Sequence, residues 1–444
     1  MCGCIVALVI FMNSELFDFI ENSPTAFHTV NNIKDMLYRK DFIELSVGKP
    51  WNLIKGRGYF VTRNNSSIIA FYIPEGDFNG FMIGASHSDS PCFKLKSNPD
   101  MSDGDYVRLS SERYGGMIYS TWLDRPLAVA GRIMVSTPEG VRTLLVDTKR
   151  PCAIIPNVAI HLSRTVNEGT TYNPAVDLVP LYSLSDEETS INPLMEYVTE
   201  ILDVDSADII SSDLFLYNAD KGVQWGDFIS APRIDDLQCV FASLKGFVAS
   251  DAHNSVPVFA VFDNEEVGSS TKQGADSDFL DCVLSKIISS LGMDSTDLID
   301  KLSNSFMLSC DNGHAVHPNH PELTDKNNCV KLNGGVVIKY NASQRYCTDA
   351  VSSSLVKKLC ESADVPFQEY ANRSDLAGGS TLGNIANTHN SMLTADIGLA
   401  QLAMHSAFET AGSDDTMYMT ELMCEFYSSS VLSVSDGVYN LIQN

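Results

Sequence analysis

Val256-Pro-Val-Phe-Ala-Val-Phe-Asp-Asn-Glu-Glu-Val-Gly-Ser-Ser270 is the stretch that decides the fold. Its first seven residues form an unbroken apolar run, the pattern of a strand buried on both faces of a parallel sheet. The run leads into Glu265 and Glu266. Two adjacent carboxylates therefore emerge at the carboxyl end of a core strand, where open α/β sheets place their chemistry. Adjacent carboxylates repel, and neither ionises cheaply there without a cation close by.

The same layout recurs on either side. Gly80-Phe-Met-Ile-Gly-Ala85 leads into His87 and Asp89, and Phe306-Met-Leu-Ser-Cys310 leads into Asp311. A fourth apolar segment, Met392–Ile397, precedes Gln401-Leu-Ala-Met-His405. Each site has a simpler account: a surface His-x-Asp turn for His87, a turn-former for Asp311, a satisfied core histidine for His405. Asp235 and Asp236 open a helical pattern and can cap it. Jointly, metal-type side chains at four strand ends outweigh those separate accounts.

Composition sets the outer bounds. The 444 residues suffice for two domains, and 44% hydrophobic residues supply ample cores. Thirty basic against 56 acidic residues leave a net charge of −26, with no basic stripe to displace counterions from nucleic acid. Eleven cysteines are scattered without a Cys-x-x-Cys pair, which fits free thiols in a reducing cytosol. The apolar start, Met1–Met12, is too short to span a bilayer and lacks the basic opening of a signal peptide. It reads as an extension ahead of a natural beginning at Met12, and no membrane association is expected.

From Met12 the pattern is helical, broken at Asn22-Ser-Pro24, and strands follow at Ile68–Ile73 and Gly80–Ala85. Residues 98–229 change texture to short alternating segments such as Leu127–Val135 and Ala153–Leu162, with a polar loop from Arg164 to Asn192. Helical spacing returns after Asp235, at Phe279–Leu291, at Thr348–Ala363 and at Met417–Val431. The expected fold is α/β. A mixed-sheet catalytic domain, residues 12–97 and 230–444, is split by an inserted β-rich domain, residues 98–229.

Oxygen and imidazole ligands without thiolate suit zinc, manganese or cobalt. Three carboxylates and two imidazoles make two metals natural, with one Asp bridging. Glu265 is then left over as general base for a metal-bound water whose pKa falls toward about 7. The residues point to a dinuclear metallohydrolase, with Asp89 placed to orient the His87 ring.

At this level of detail the chain resembles the aspartyl aminopeptidases among the dinuclear zinc exopeptidases. The resemblance runs in order through Gly84-Ala-Ser-His-Ser-Asp-Ser-Pro-Cys92, Trp122-Leu-Asp-Arg-Pro-Leu127, Ile155-Pro-Asn-Val-Ala-Ile-His-Leu162 and Pro232-Arg-Ile-Asp-Asp236. It continues through Asp263-Asn-Glu-Glu-Val-Gly268, Asp311-Asn-Gly-His-Ala-Val-His-Pro318, Val337-Ile-Lys-Tyr-Asn341, Gln344-Arg-Tyr346 and Gln401-Leu-Ala-Met-His-Ser406. It implies two zinc ions per subunit, replaceable by manganese or cobalt. Asp235 would bridge them, His87 and Asp311 would hold one, and Glu266 and His405 the other. Glu265 would be the base. His161 would steady the oxyanion in a neighbouring subunit, and Lys339 would read an acidic substrate side chain, with Arg345 and Tyr346 beside it.

The inserted domain is implied to form dimers that assemble into a tetrahedral dodecamer. Arg373-Ser-Asp-Leu-Ala-Gly-Gly-Ser-Thr-Leu-Gly383 lacks the Pro-Cys-Gly turn of animal members and is closer to bacterial ones. The expected activity is cytoplasmic release of N-terminal residues, preferably Asp or Glu, from peptides. The competing readings are a related exopeptidase of neutral or broad specificity, and a non-catalytic assembly protein stabilised by its metals. A spare base such as Glu265 has no use in the last of these.

Overall fold

The Ser255–Phe262 strand is buried along its whole length and lies near the middle of a nine-stranded mixed sheet. This computed structural model describes residues 2–185 and 192–443, the side chains of 2–6 and 103 aside, so 186–191 of the expected polar loop lie outside it. In spatial order the strands are Ile43–Leu45, Arg57–Arg63, Ser67–Ile73, Ser255–Phe262, Gly80–His87, Phe306–Cys310, Leu393–Gly398, Val336–Tyr340 and Phe367–Ala371. The central four, from Ser255–Phe262 to Leu393–Gly398, run parallel. Their register pairs Phe262 with His87 and Cys310 with Ile397. Residues just beyond these strands therefore emerge side by side at one edge.

Helices cover both faces, as a sheet buried on two sides requires. Ile234–Ala249 and Asp415–Ser428 pack on one face, with Cys2–Glu21, Ala26–Tyr38 and Ala350–Ser362 around them. Phe279–Ser290 and Leu382–His389 cover the other. Phe279, Leu280, Val283, Leu284, Ile287 and Ile288 are the buried face of their helix, as its spacing predicts. Burying each such side chain contributes about 1.5–3 kcal/mol. The expected Thr348–Ala363 helix is Ala350–Ser362, closed at its start by a capping box from Asp349. The first helix runs through Met12 unbroken and leaves Leu8, Ile10 and Phe11 exposed.

The inserted region is a separate six-stranded antiparallel sheet with its own core. Its order is Gly140–Asp147, Leu127–Thr137, Ile209–Asn218, Cys92–Asp103, Tyr106–Tyr114, Leu181–Leu184. Position 98 thus falls inside a strand: Asn98-Pro99 reads as a break but sits where the Cys92–Asp103 register shifts, between Leu95 and Asp100. Position 229 falls in Phe228–Ala231, which pairs with Glu409–Gly412 in a third, small sheet. Ala153–Leu162 is not the alternating strand its pattern suggests. Only Ala153, Ile154 and Ile155 make isolated bridges, and Pro156, which has no N–H for a ladder, precedes an exposed loop.

Among the described residues no helix is long and apolar enough to cross a membrane, and the nine described cysteines are all free.

Candidate metal centre

Where the parallel strands end, their side chains converge into overlapping clusters whose ligand atoms lie within 4.8 Å of one another. One contains His87, Asp235, Asp236 and Asp311. A second contains His87, Glu265 and Glu266, and a third Asp235, Glu266 and His405. Asp235 belongs to the first and the third. His87 Nε2 lies 3.5 Å from Asp235 Oδ1, while His405 Nε2 lies 3.4 Å from both Asp235 Oδ2 and Glu266 Oε1.

Local backbone explains each placement. His87 ends its strand, and Asp311 directly follows Cys310 with its N–H bonded to Ile397 O at 3.0 Å. A Cβ at Gly398 would strike the Asp311 carbonyl, so only glycine permits that approach. Asp235 and Asp236 do not cap their helix. Arg233 occupies the cap position and makes no side-chain cap bond, neither Asp has helical backbone angles, and the Asp235 amide goes to Glu409 instead. Asp236, fully buried, accepts the His87 N–H at 3.2 Å. His405 stands at φ 65°, in a turn after the short Ala400–Leu402 strand rather than at a parallel strand end.

Two buried carboxylates hold these ligands by their amides. Asp89 accepts the Glu265 N–H at 3.1 Å and the Glu266 N–H at 3.2 Å, and also the Tyr114 hydroxyl at 2.7 Å. Its carbonyl lies 3.0 Å from His87 Nδ1 and its carboxylate 3.5 Å from the same nitrogen, so Asp89 faces this ring with both groups. Glu409 accepts the Asp235 N–H at 3.0 Å and the His405 N–H at 2.7 Å. His405 Nδ1 faces Gly116 O at 2.6 Å, so the inserted segment helps to orient this ring. Sequence patterns give no sign of Tyr114, Gly116 or Glu409, because their roles depend on long-range contacts.

The other predicted residues are distributed around this cluster. Lys339 is 2% exposed, donates to Asn312 O at 2.8 Å and lies 3.5 Å from Asp311 Oδ1. Its ammonium sits 5.5 Å from the centre of the buried Tyr346 ring. It is not a surface lysine. Arg345 is exposed and donates to Gly378 O at 3.0 Å, bracing the 373–383 loop. His161 is on the exposed loop of the inserted region and joins none of the clusters within this chain.

So many carboxylates cannot all ionise in one dry place. Burial, partly offset by His87 and reinforced by Asp311, Asp89 and Asp235, pushes Glu265 up to about 7. Burial likewise raises Glu266 well above the usual carboxylate range and raises Asp311. Burial alone would lower His405, but its bond to Asp235 and the charges of Glu266 and Asp235 lift it to about 10. Asp235 Oδ1, Asp236 Oδ1 and Glu266 Oε1 are buried without a hydrogen-bond partner, as ligand atoms facing cations would be. The donor set, carboxylate and imidazole only, fits divalent zinc.

Comparison with known proteins agrees with this chemistry. The profile of the family described as aminopeptidase I zinc metalloprotease (M18) matches residues 19–427. A protein of Clostridium novyi named probable M18 family aminopeptidase 2 is 47% identical over 424 residues, covering 94% of this chain and 98% of that one. Its namesake in Pseudomonas entomophila is 35% identical, covering 95% and 99%. Among solved structures, the complex of Ape4 and Nbr1 contains a chain that superposes with a TM-score of 0.91 at 35% identity, covering 95% of this chain and 86% of that one. The S. cerevisiae mApe1 dodecamer gives 0.82 at 26%, covering 93% and 95%.

Proposed function

This chain belongs to the M18 family of zinc aminopeptidases, and from that premise we propose that it is a dinuclear zinc enzyme releasing N-terminal residues, preferably Asp or Glu, from peptides. The observation that carries this reading is the sharing of Asp235 between two clusters, one containing His87 and Asp311, the other Glu266 and His405. Those residues would hold the ions, with manganese or cobalt as substitutes for zinc. Bound there, the metals supply Lewis acidity and a water that ionises near neutral pH.

The chain's own groups do the rest. Glu265, adjacent to the ligands and shifted to about 7, accepts a proton from the attacking water and returns it to the leaving amine. Asp89 holds the amides of Glu265 and Glu266, which keeps base and ligand in fixed relation. Lys339, beside Asp311, is the cation that would read an acidic side chain.

Self-association through the inserted domain, with His161 reaching a neighbour's cleft, follows from the same reading. The dodecamer of the yeast relative supports it, and free cysteines throughout support a cytoplasmic setting.

One observation favours neutral or broad specificity instead. The Lys339 ammonium is already engaged by Asn312 O and Asp311. Release assays across peptides differing only in the N-terminal residue, with zinc, manganese or cobalt added back to stripped enzyme, separate the two. Preference for Asp and Glu supports the main reading. Equal rates on Ala and Leu overturn it.

A further inference from the structure

Between the inserted sheet and the catalytic domain lies a cavity of about 300 Å³, whose wall includes Asp235 and Glu409. Two buried donors on that wall have no acceptor: Trp122 Nε1, on a side chain 3% exposed, and Arg233 Nε. The terminal nitrogens of Arg233 reach only carbonyls, Ile20 O at 3.1 Å and Asn218 O at 3.5 Å. No carboxylate among the described residues pairs with it within 4.0 Å. Carbonyls satisfy only its terminal N–H groups, and the Tyr217 ring at 5.2 Å is its nearest other partner, with the charges of Asp147 and Glu409 acting from further off, so its Nε–H and much of its charge remain to be met in a buried place.

The rest of the wall selects what would fit. Asp213 is shared by Lys94 at 2.8 Å and Arg132 at 2.9 Å, so that trio carries one positive charge over. Asp89, Asp235 and Glu409 are committed to the metal centre and its amides, and Asp263 to the Asn264 N–H. Two divalent ions bound at the neighbouring clusters would offset part of their charge, and to that extent the inference rests on the dinuclear reading. Phe27 and Phe215, with ring centres 6.3 Å apart, and Tyr217 supply flat apolar surface.

We propose that this cavity binds a small organic carboxylate, its head on Arg233 Nε and Trp122 Nε1 and its apolar body against Phe27, Phe215 and Tyr217. Two N–H donors without acceptors on one wall match in number the two oxygens of a carboxylate, and a flat head suits the aromatic lining better than tetrahedral phosphate.

Crystals of zinc-loaded enzyme, its metal content measured on the same batch, would be soaked with 4-bromobenzoate, with 4-bromobenzyl alcohol, or with inorganic phosphate. Bromine anomalous signal in the cavity from the acid, and none from the alcohol, is the expected result. In solution, Arg233→Met should weaken 4-bromobenzoate binding at least tenfold. Trp122→Phe, which keeps the ring and removes the N–H, should weaken it about two- to tenfold. Protein with two metals whose cavity holds only water, acid bound only at the metals, equal binding of the alcohol, or unchanged affinity in Trp122→Phe each overturns the inference. Phosphate in the cavity in place of the acid overturns the carboxylate assignment. Protein without two metals would instead count against the dinuclear reading, and its apo crystals would be scored separately.

Discussion

Glu409 accepts the backbone N–H of Asp235 at 3.0 Å, across 174 residues of chain, and its other oxygen takes the N–H of His405 at 2.7 Å. One buried carboxylate thus fixes the main chain of Asp235 and of His405, the bridging and imidazole ligands of the proposed centre, together. Glu409→Gln presents an NH2 group to one of those amides and must lose that bond. Partners of this kind typically affect metal affinity by about 10–100-fold. We expect a loss of that order in competitive zinc titrations, with Glu409→Asp recovering little because it is one methylene short. Wild-type affinity in Glu409→Gln would remove this residue from the metal centre.

Glu265 and Glu266 are neighbours with different expected fates. Glu265→Gln should retain both metals while turnover falls by about 10²–10⁴, because the amide cannot take the water's proton. Glu266→Gln should instead lose metal, since Glu266 Oε1 faces the third cluster. Elemental analysis alongside steady-state rates checks both, and identical behaviour of the two variants contradicts the assignment.

Much of this centre is legible in the sequence because His87, Glu265, Glu266 and Asp311 sit at or just beyond short apolar runs, whereas Asp235 opens a helix and His405 stands in a turn. Phe262 and His87 are paired by register, so two runs read separately deliver neighbours. Glu409 escapes such reading: it begins the four-residue strand Glu409–Gly412 in the small third sheet, and only pairing with Ala231 brings it near Asp235. Asp236 is similar, since a capping role and a buried contact with His87 look alike in sequence. The β-rich insertion is visible in the changed texture of residues 98–229, but its first strand is not, because Asn98-Pro99 masks a bulge. Pro193–Leu202, Ser295–Ser303 and Leu382–His389 are helices of only ten, nine and eight residues, too short for their spacing to stand out, and they emerge only from the structure.

Acid sensitivity should have a contribution remote from the metals. Burial, with help from Lys149 and Arg233 and against Asp147, lowers His28 from 6.5 to about 4. The unfolded chain therefore binds more protons than the folded one between those values. The stability this neutral histidine contributes is complete above about 6.5 and is lost as pH falls toward 4. At one pKa unit per 1.36 kcal/mol the change is on the order of 3 kcal/mol. Urea unfolding of wild type and His28→Gln across that window should show the difference between them shrinking on the acid side. A difference independent of pH would exclude the effect.

Specificity gives the sharpest test of Lys339. With a net charge of −26 the molecule as a whole repels acidic peptides, although salt screens that field beyond about 8–10 Å. A preference for Asp or Glu needs a local cation, and Lys339, 3.5 Å from Asp311, is the one beside the clustered ligands. Its stem passes close to Gly398, where a side chain would crowd it. A charge–carboxylate contact in such a dry setting is worth about 1.5–3 kcal/mol, at least tenfold in rate. Lys339→Met should therefore lower kcat/KM at least tenfold more on Asp- and Glu-peptides than on Ala- or Leu-peptides. A smaller loss common to all substrates is also expected, because Asp311 loses the ammonium that faces it. If every substrate loses equally and zinc content falls in step, Lys339 serves Asp311 alone, and the enzyme's preference must be read elsewhere in the pocket.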